Sequence, residues 1–351
     1  MSEKHYTLAQ LGWKTIFNQQ LTLDDLEQTK PHRITQVFRN RLVVLGEDGE
    51  LNLDLAQYPN LQASTIGDWL LVSNNAVDIP VILERQSVFQ RKSPGANSHQ
   101  LIATNVDTAF IVSSFNQDFN LSRIERYLAL CKEAGAIAVL VLTKADLVNQ
   151  SQLDEYLEQL HDLQSHLVIL TVNALDSESC QGLFDWCGVG QTVVLLGSSG
   201  VGKTTLTNTL CGLQEKTAAI RQDDNKGRHT TTSRSLFFAV SGGLILDCPG
   251  MRELQLTDCE DGIKEVFSDI EDLARQCKFA DCHHHQEPGC AVQQAIKAEL
   301  LEERRLTNYQ KILSEQARNS MTLAQVHQKD RKFGKLIKTS IHSKKHRIDN
   351  F

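Results

Sequence analysis

The sequence predicts a multidomain chain of mixed α/β and β structure: a small β-barrel, OB-like or generic, an α/β domain built round a phosphate-binding loop, and a helical C-terminal domain that holds a metal. Three observations predict it. Short apolar runs broken by turn signals fill residues 33–90, strands alternate with helices from residue 101, and three cysteines and a histidine crowd into residues 277–290. The expected divisions are an N-terminal extension (1–32), a barrel (33–92), the phosphate-loop domain (93–255) and a metal-knuckle and helical domain with a basic tail (256–351).

The totals agree with more than one domain, since a single core rarely grows past about 250–300 residues and the chain has 351. Its 41% hydrophobic and 23% charged residues are those of an ordinary globular protein. No apolar run nears the roughly 20 residues that span a bilayer, and the polar start Met1-Ser2-Glu3-Lys4-His5 is no signal peptide. A cytoplasmic location without membrane attachment is expected, where nine cysteines are free or metal-bound rather than paired. The net charge of −7 is uneven: residues 327–351 carry eight Lys/Arg against two Asp, leaving −13 for the rest. Attraction to nucleic acid would therefore be local.

In chain order, Leu8, Leu11, Ile16, Phe17 and Leu21 have loosely helical spacing before Pro31 and suggest an extension without a function of its own. Val37-Phe38, Leu42–Leu45, Leu51–Leu55, Trp69–Val72 and Val81–Leu83 read as the short strands of a closed barrel. An oligonucleotide-binding barrel and a generic one fit this pattern equally. Arg85, Arg91 and Lys92 at its exit read as a solvated basic face. Thr108–Val112 is a buried strand, and Leu121, Ile124, Leu128 and Cys131 mark one face of a helix stopped by Gly135. Further strands are expected at Ile137–Leu142, Leu167–Leu170, Thr192–Leu196, Leu236–Val240 and Leu244–Leu246, with a helix over 151–163. Such alternation gives a mostly parallel sheet with ligand loops at the strand C-termini.

The phosphate loop is Gly197-Ser198-Ser199-Gly200-Val201-Gly202-Lys203-Thr204, followed by Thr205 in an opening helix. Its glycines let backbone N–H groups and the helix N-terminus face an anion. Lys203 supplies a point charge to the β- and γ-phosphates, and the Thr204 hydroxyl suits Mg²⁺. Asp247-Cys248-Pro249-Gly250, at the end of a neighbouring strand, would hold Mg²⁺ through Asp247 and meet the γ-phosphate through the Gly250 N–H. Thr143-Lys144-Ala145-Asp146 decides the base. An aspartate at a strand end accepts from guanine N1–H and N2–H₂, a donor pair that adenine lacks, while the lysine stem covers the ring. Ala174, after Asn173, could offer its N–H to guanine O6.

These elements resemble the translation-factor-like GTPases, with Thr143 standing where Asn is usual and Asn173 where a Ser-Ala pair is common. The order differs from theirs: the base motif precedes the phosphate loop, as in a circular permutation. The chain therefore leaves the nucleotide domain from the Asp247–Gly250 switch, so the C-terminal region is expected to move with nucleotide state. One of Thr230, Thr231 and Thr232 could complete the Mg²⁺ shell. Met251 stands where many GTPases carry a water-orienting glutamine, which leaves His229 as the nearest polar substitute. It is either catalytic or a switch residue that only touches a partner.

Cys277-x₄-Cys282-x-His284-x₅-Cys290 offers three thiolates and one imidazole, the closed ligand set of a structural Zn²⁺. His283 and His285 flank His284, so spacing alone leaves the imidazole open. Ala291–Ala317 has helical composition, and the lysines of the following tail suit phosphate contacts.

Barrel, permuted GTPase, zinc knuckle and basic tail in this order resemble the bacterial ribosome small subunit-dependent GTPase A family. Gly227–Thr232, Asp247–Gly250 and the metal run ending Glu287-Pro288-Gly289-Cys290 carry the resemblance from about residue 33 onward. It selects His284 as the zinc imidazole and implies an oligonucleotide-binding barrel. It also implies GTP hydrolysis stimulated by the small ribosomal subunit, a role late in that subunit's maturation, and contact with ribosomal RNA by a monomer. Thr143 and the negative overall charge fit a divergent member, one of two copies in its organism. Two competing classes remain: a GTP-dependent regulator of another RNA or protein, and a metabolic kinase or ATPase, which Asp146 disfavours.

Overall fold

The computed structural model describes residues 5–75, 78–92, 99–116, 118–161, 163, 167–213, 234–247 and 259–319. The described part of the N-terminal extension is built into the molecule. Helices α1 (Thr15–Asn18) and α2 (Leu23–Gln28) bracket a turn, and Thr22 and Asp25 form a reciprocal cap at the start of α2. Leu11 and Phe17 are buried against the barrel, and the Trp13 and Trp69 rings meet edge to face at 4.8 Å. Each such buried side chain contributes about 1.5–3 kcal/mol.

Strand β1 (Thr29–Val37) begins four residues before the expected barrel boundary. With β2 (Arg41–Gly46), β3 (Gly49–Asp54), a 3₁₀ turn (Pro59–Ala63), β4 (Trp69–Ser73) and β5 (Val81–Ile82) it forms an antiparallel run ordered β3-β2-β1-β4-β5. This is a five-stranded, partly open barrel of the OB type, with Ile34, Leu42, Val44, Leu61 and Leu70 at its centre. Arg85 does not lie on a solvated face. Its guanidinium clasps the fully buried Asp68 carboxylate at 2.7 and 2.9 Å, an ion pair that closes the barrel's exit. A hairpin of β6 (Val88–Lys92) and β7 (His99–Thr104), with no clear signal in the sequence, leads to the central domain.

There β8 (Thr108–Ser114), α3 (Leu121–Ala134), β9 (Ile137–Thr143), α4 (Gln150–His161), β10 (Val168–Val172), α5 (Gln181–Phe184), β11 (Thr192–Leu196), α6 (Lys203–Cys211), β12 (Arg234–Phe238) and β13 (Leu244–Asp247) follow one another. The sheet order is β10-β9-β8-β11-β13-β12, parallel except for β12. Strand β8 is buried along its whole length, as its unbroken apolar run requires. The sheet does not stop at β12. Gln36 pairs with Ser235 and Val37 with Arg234, so barrel and central sheet are one hydrogen-bonded surface.

Arg33 of β1 rivets three parts together. It is fully buried and donates to the Leu11 carbonyl (2.7 Å), the Thr192 hydroxyl (2.9 Å), the Asn105 carbonyl (3.0 Å) and the Gly67 carbonyl (3.3 Å). Burial pushes its pKa down to about 10, opposed by Asp107 and Asp68, so the group stays charged at neutral pH.

Helices α7 (Glu260–Val266), α8 (Ser268–Ala274), α9 (Ala291–Lys297) and α10 (Glu303–Asn319) build the C-terminal domain. The helical stretch expected over Ala291–Ala317 is broken at 298–302, where Glu299 takes φ +57° and Leu300 donates back to the Ala295 carbonyl. The domain lies on α3. Gly262 of α7 packs so closely that a Cβ there would sit 2.3 Å from the Ala129 carbonyl. Ile263, Val266, Phe267, Leu306 and Ile312 share one core with Ile124, Leu128 and Cys131. Residues 259–319 are thus docked on the central domain. No described helix is long and apolar enough to cross a membrane.

Candidate nucleotide site and metal centre

Five parallel strands end on one edge of the sheet, at Ser114, Thr143, Val172, Leu196 and Asp247. That edge gathers what the sequence scatters over a hundred residues. The phosphate loop leaves β11 at Gly197, whose φ of +143° and contact with β8 admit no side chain: a Cβ would lie 2.2 Å from the Val112 carbonyl. Gly200 and Gly202 also have positive φ (+84° and +98°), and Gly202 starts α6. Ser199, Thr204 and Thr205 line the open side and the first turn of the helix, while Val201 is buried beneath. Lys203 folds back over the loop and donates to the carbonyls of Gly197 (2.7 Å) and Ser198 (2.5 Å).

Thr143, the residue that departs from the usual base motif, is fully buried. Its hydroxyl lies 2.6 Å from the Val201 carbonyl and 3.2 Å from that of Ser113. Lys144 follows with φ +62°, a left-handed residue that turns the chain into the 3₁₀ segment Ala145–Leu147 and leaves Asp146 exposed at the strand end. Val172 is in register with Thr143, which sets Asn173 and Ala174 beside that segment. The Asn173 side chain accepts the Leu175 N–H (3.1 Å), and Thr209 of α6 donates to the Ala174 carbonyl (2.7 Å). Both base loops are therefore tied to the phosphate loop or its helix. Asp247 is exposed at the end of β13, next to β11. His229, Thr230, Thr231, Thr232, Gly250 and Met251 lie outside the described residues, as does the basic tail.

Sequence reasoning missed Arg123. It stands in the first turn of α3, and its guanidinium donates to the Asp118 carboxylate (2.5 Å) and to the Ser198 hydroxyl (2.6 Å) of the phosphate loop. Position three of a helix behind an Asn cap was the available signal, and it is a weak one.

In the C-terminal domain the Cys277, Cys282, His284 and Cys290 ligand atoms all lie within 4.8 Å of one another. Cys277 and Cys290 sulfurs are 3.8 Å apart, and His284 Nδ1 is 3.6 and 3.5 Å from them. A tetrahedral Zn²⁺ with Zn–S of about 2.3 Å and Zn–N of about 2.0–2.1 Å has edges of about 3.8 Å (S–S) and about 3.6 Å (S–N). The four residues fit the ion. His284, at φ +59°, turns inward, while His283 and His285 are exposed and give their N–H groups to the Glu287 carboxylate. Geometry thus separates three adjacent histidines that spacing could not. Burial lowers the His284 pKa, favouring the neutral imidazole that ligates.

Comparison with known proteins agrees with this geometry. The sequence model of the RsgA GTPase matches residues 82–257. That of the ABC transporter matches residues 187–336, a span that opens just before the phosphate loop. The small ribosomal subunit biogenesis GTPase RsgA 2 of Vibrio parahaemolyticus is 50% identical over 346 residues, which are 98% of this chain and 95% of that protein. The small ribosomal subunit biogenesis GTPase RsgA of Mesorhizobium japonicum is 45% identical over 318 residues, 90% and 91% of the two chains. Among solved structures, YjeQ from Thermotoga maritima aligns with a TM-score of 0.60 at 23% identity, covering 82% of this chain and 99% of its own. YloQ, described as a circularly permuted GTPase, aligns with a TM-score of 0.57 at 22% identity, covering 84% and 97%.

Proposed function

The chain belongs to the RsgA GTPase family, and on that premise we propose how its residues divide the work. It is a GTP hydrolase of small ribosomal subunit biogenesis. Asp146 accepts from guanine N1–H and N2–H₂, Lys144 covers the ring, and the Ala174 N–H meets O6. Thr143, Ala145 and Asn173 hold these groups in place. The N–H groups of Gly197–Thr204 and the Lys203 ammonium hold the β- and γ-phosphates.

Thr204 and Asp247 would hold Mg²⁺ together with one of Thr230, Thr231 and Thr232, and the ion would neutralise charge on the phosphates. Water attacks the γ-phosphorus in line, the bond to the β,γ-bridging oxygen breaks, and GDP leaves with the electron pair. His229 orients that water. Gly250 gives its N–H to the γ-phosphate. Cys277, Cys282, His284 and Cys290 hold one structural Zn²⁺, a reading supported by the fit of their spacings to a tetrahedron.

The protein acts as a cytoplasmic monomer. Its barrel, zinc domain and the basic residues of 327–351 contact ribosomal RNA of the small subunit, the tail through phosphates. The domain divisions follow the sequence, with the barrel opened at Thr29.

One observation carries the nucleotide reading: Thr143–Asp146, Gly197–Thr204 and Asp247, in permuted order along the chain, meet at one edge of one parallel sheet. The test is GTP hydrolysis with and without purified small ribosomal subunits, with ATP as control. Stimulation specific to GTP is expected. An Asp146→Asn variant should lose GTP and gain xanthosine triphosphate, whose C2 carbonyl accepts from the new amide. GTP binding without stimulation would leave a switch for another partner, and equal use of ATP would overturn the base assignment. Full stimulated activity in His229→Ala would remove that residue from catalysis.

A further inference from the structure

Two cations converge on one residue of the phosphate loop. The Ser198 carbonyl accepts from Lys203 Nζ, while its hydroxyl accepts from Arg123 Nη1. Lys203 belongs to the loop's own motif; Arg123 comes from α3, a different element 75 residues away in sequence. We propose that Arg123 is a γ-phosphate-binding residue, which lets the site tell GTP from GDP. The inference rests on the GTP reading above.

Arg123 sits in the first turn of α3, where the helix presents its positive end. A cation is disfavoured there unless an anion meets it. Asp118 is one such anion, but it takes only part of a five-donor fork. The other contact, at 2.6 Å, is a neutral hydroxyl at the mouth of the anion cradle. Exchange of that hydroxyl for a phosphate oxygen replaces a neutral acceptor with a charged one, and charge-assisted bonds are about twice as strong. The triphosphate offers such oxygens one phosphate further along than the diphosphate.

The backbone that carries Arg123 is held still. The Asn120 side chain caps the Arg123 N–H at 2.9 Å. Two residues on, Glu125 is fully buried and accepts from Arg305 at 2.9 Å, from Arg304 and from Asn308. The side chain, 39% exposed, can therefore turn between partners on a fixed base. A pre-set donor whose partner is present in one nucleotide state only is a state reader.

The experiment measures affinities of the full-length protein for GDP and for a non-hydrolysable GTP analogue, in the unaltered chain and in Arg123→Gln, Arg123→Lys and Asp118→Asn. Arg123→Gln should weaken the analogue roughly tenfold or more and GDP less than about twofold, with Arg123→Lys in between. Asp118→Asn separates this from a merely structural ion pair. It frees the guanidinium, so analogue binding should hold or tighten; a structural pair would make it copy Arg123→Gln. Equal losses for both nucleotides, no loss, or a matching loss in Asp118→Asn would overturn the assignment. If the unaltered chain bound no guanine nucleotide, the GTP reading itself would fall and the assignment with it.

Discussion

The Thr143 hydroxyl lies 2.6 Å from the carbonyl of Val201, which joins the end of β9 to the middle of the phosphate loop across 58 residues of sequence. Both groups are buried. A threonine therefore ties the loop proposed to read the base to the loop proposed to hold the phosphates, a task its hydroxyl performs with one donor.

Thr143→Val keeps the shape and removes the donor. Loss of a buried hydrogen bond costs about 1–2 kcal/mol, so nucleotide affinity should fall roughly fivefold to thirtyfold. GTP and GDP should suffer alike, because the contact lies behind the loop and not at the γ-phosphate. Thr143→Asn, which retains an N–H donor, should lose less. Titration with a fluorescent nucleotide decides it, and unchanged affinity in Thr143→Val would show the tether to be idle.

If Cys277, Cys282, His284 and Cys290 hold zinc as proposed, the thiols should separate by chemistry once the ion is removed. Burial raises the Cys180 pKa to about 11 and those of Cys187 and Cys211 to about 12, and it pushes Cys131 higher still. At pH 8 their thiolate fractions are about one in a thousand or less. Burial also opposes ionisation of Cys277, but N–H groups of Ala291 and Val292 and the Cys290 and Cys282 thiols outweigh it and leave its pKa below the ordinary value. Iodoacetamide at pH 8 should thus label chelator-treated protein at Cys277 well before Cys131, Cys180, Cys187 or Cys211, and zinc should protect it. Peptide mass spectrometry reads the order. The chelated protein should also melt at lower temperature; no shift would mean the cluster bears no structural ion.

Glu125 is the charged group on which the C-terminal helix closes. Glu125→Ala strands Arg305, which keeps Asp269 at 2.7 Å, so the cost should fall near the low end of the 3–5 kcal/mol typical of a broken buried pair. Arg304 is 34% exposed on its side chain, and Arg304→Ala should cost under about 1 kcal/mol. Urea unfolding curves measure both. Equal effects would place the anchor elsewhere.

That the phosphate loop, Asp146 and Asp247 would gather at one sheet edge, and three cysteines with a histidine in one cluster, was legible because each motif depends on residue types at fixed short spacing, as was the alternation that implies a parallel sheet. The imidazole among His283, His284 and His285 was not, since its selection depends on the left-handed turn at His284 and on Glu287 holding its neighbours' N–H groups. Arg85 read as a solvated cation and Arg33 drew no reading at all, because their partners Asp68, Asn105 and Thr192 lie far away in sequence. Leu11 and Phe17 looked like part of a loose extension for a similar reason: the Trp69 wall they pack on is some fifty residues away.

The pairing of β1 with β12 also has a consequence in time. Gln36 and Ser235 are nearly two hundred residues apart, and a ribosome adds about 5–20 residues per second. The barrel can close on its own local strand pairs within seconds, yet the edge on which it is seated emerges about ten to forty seconds later. Through that interval the end of β1 at Gln36 and Val37 is a short unpaired strand edge, the kind of surface that recruits other chains, while Thr29–Arg33 are already paired with β4. During its own synthesis the protein is most open to mispairing between the closing of its barrel and the arrival of Arg234 and Ser235.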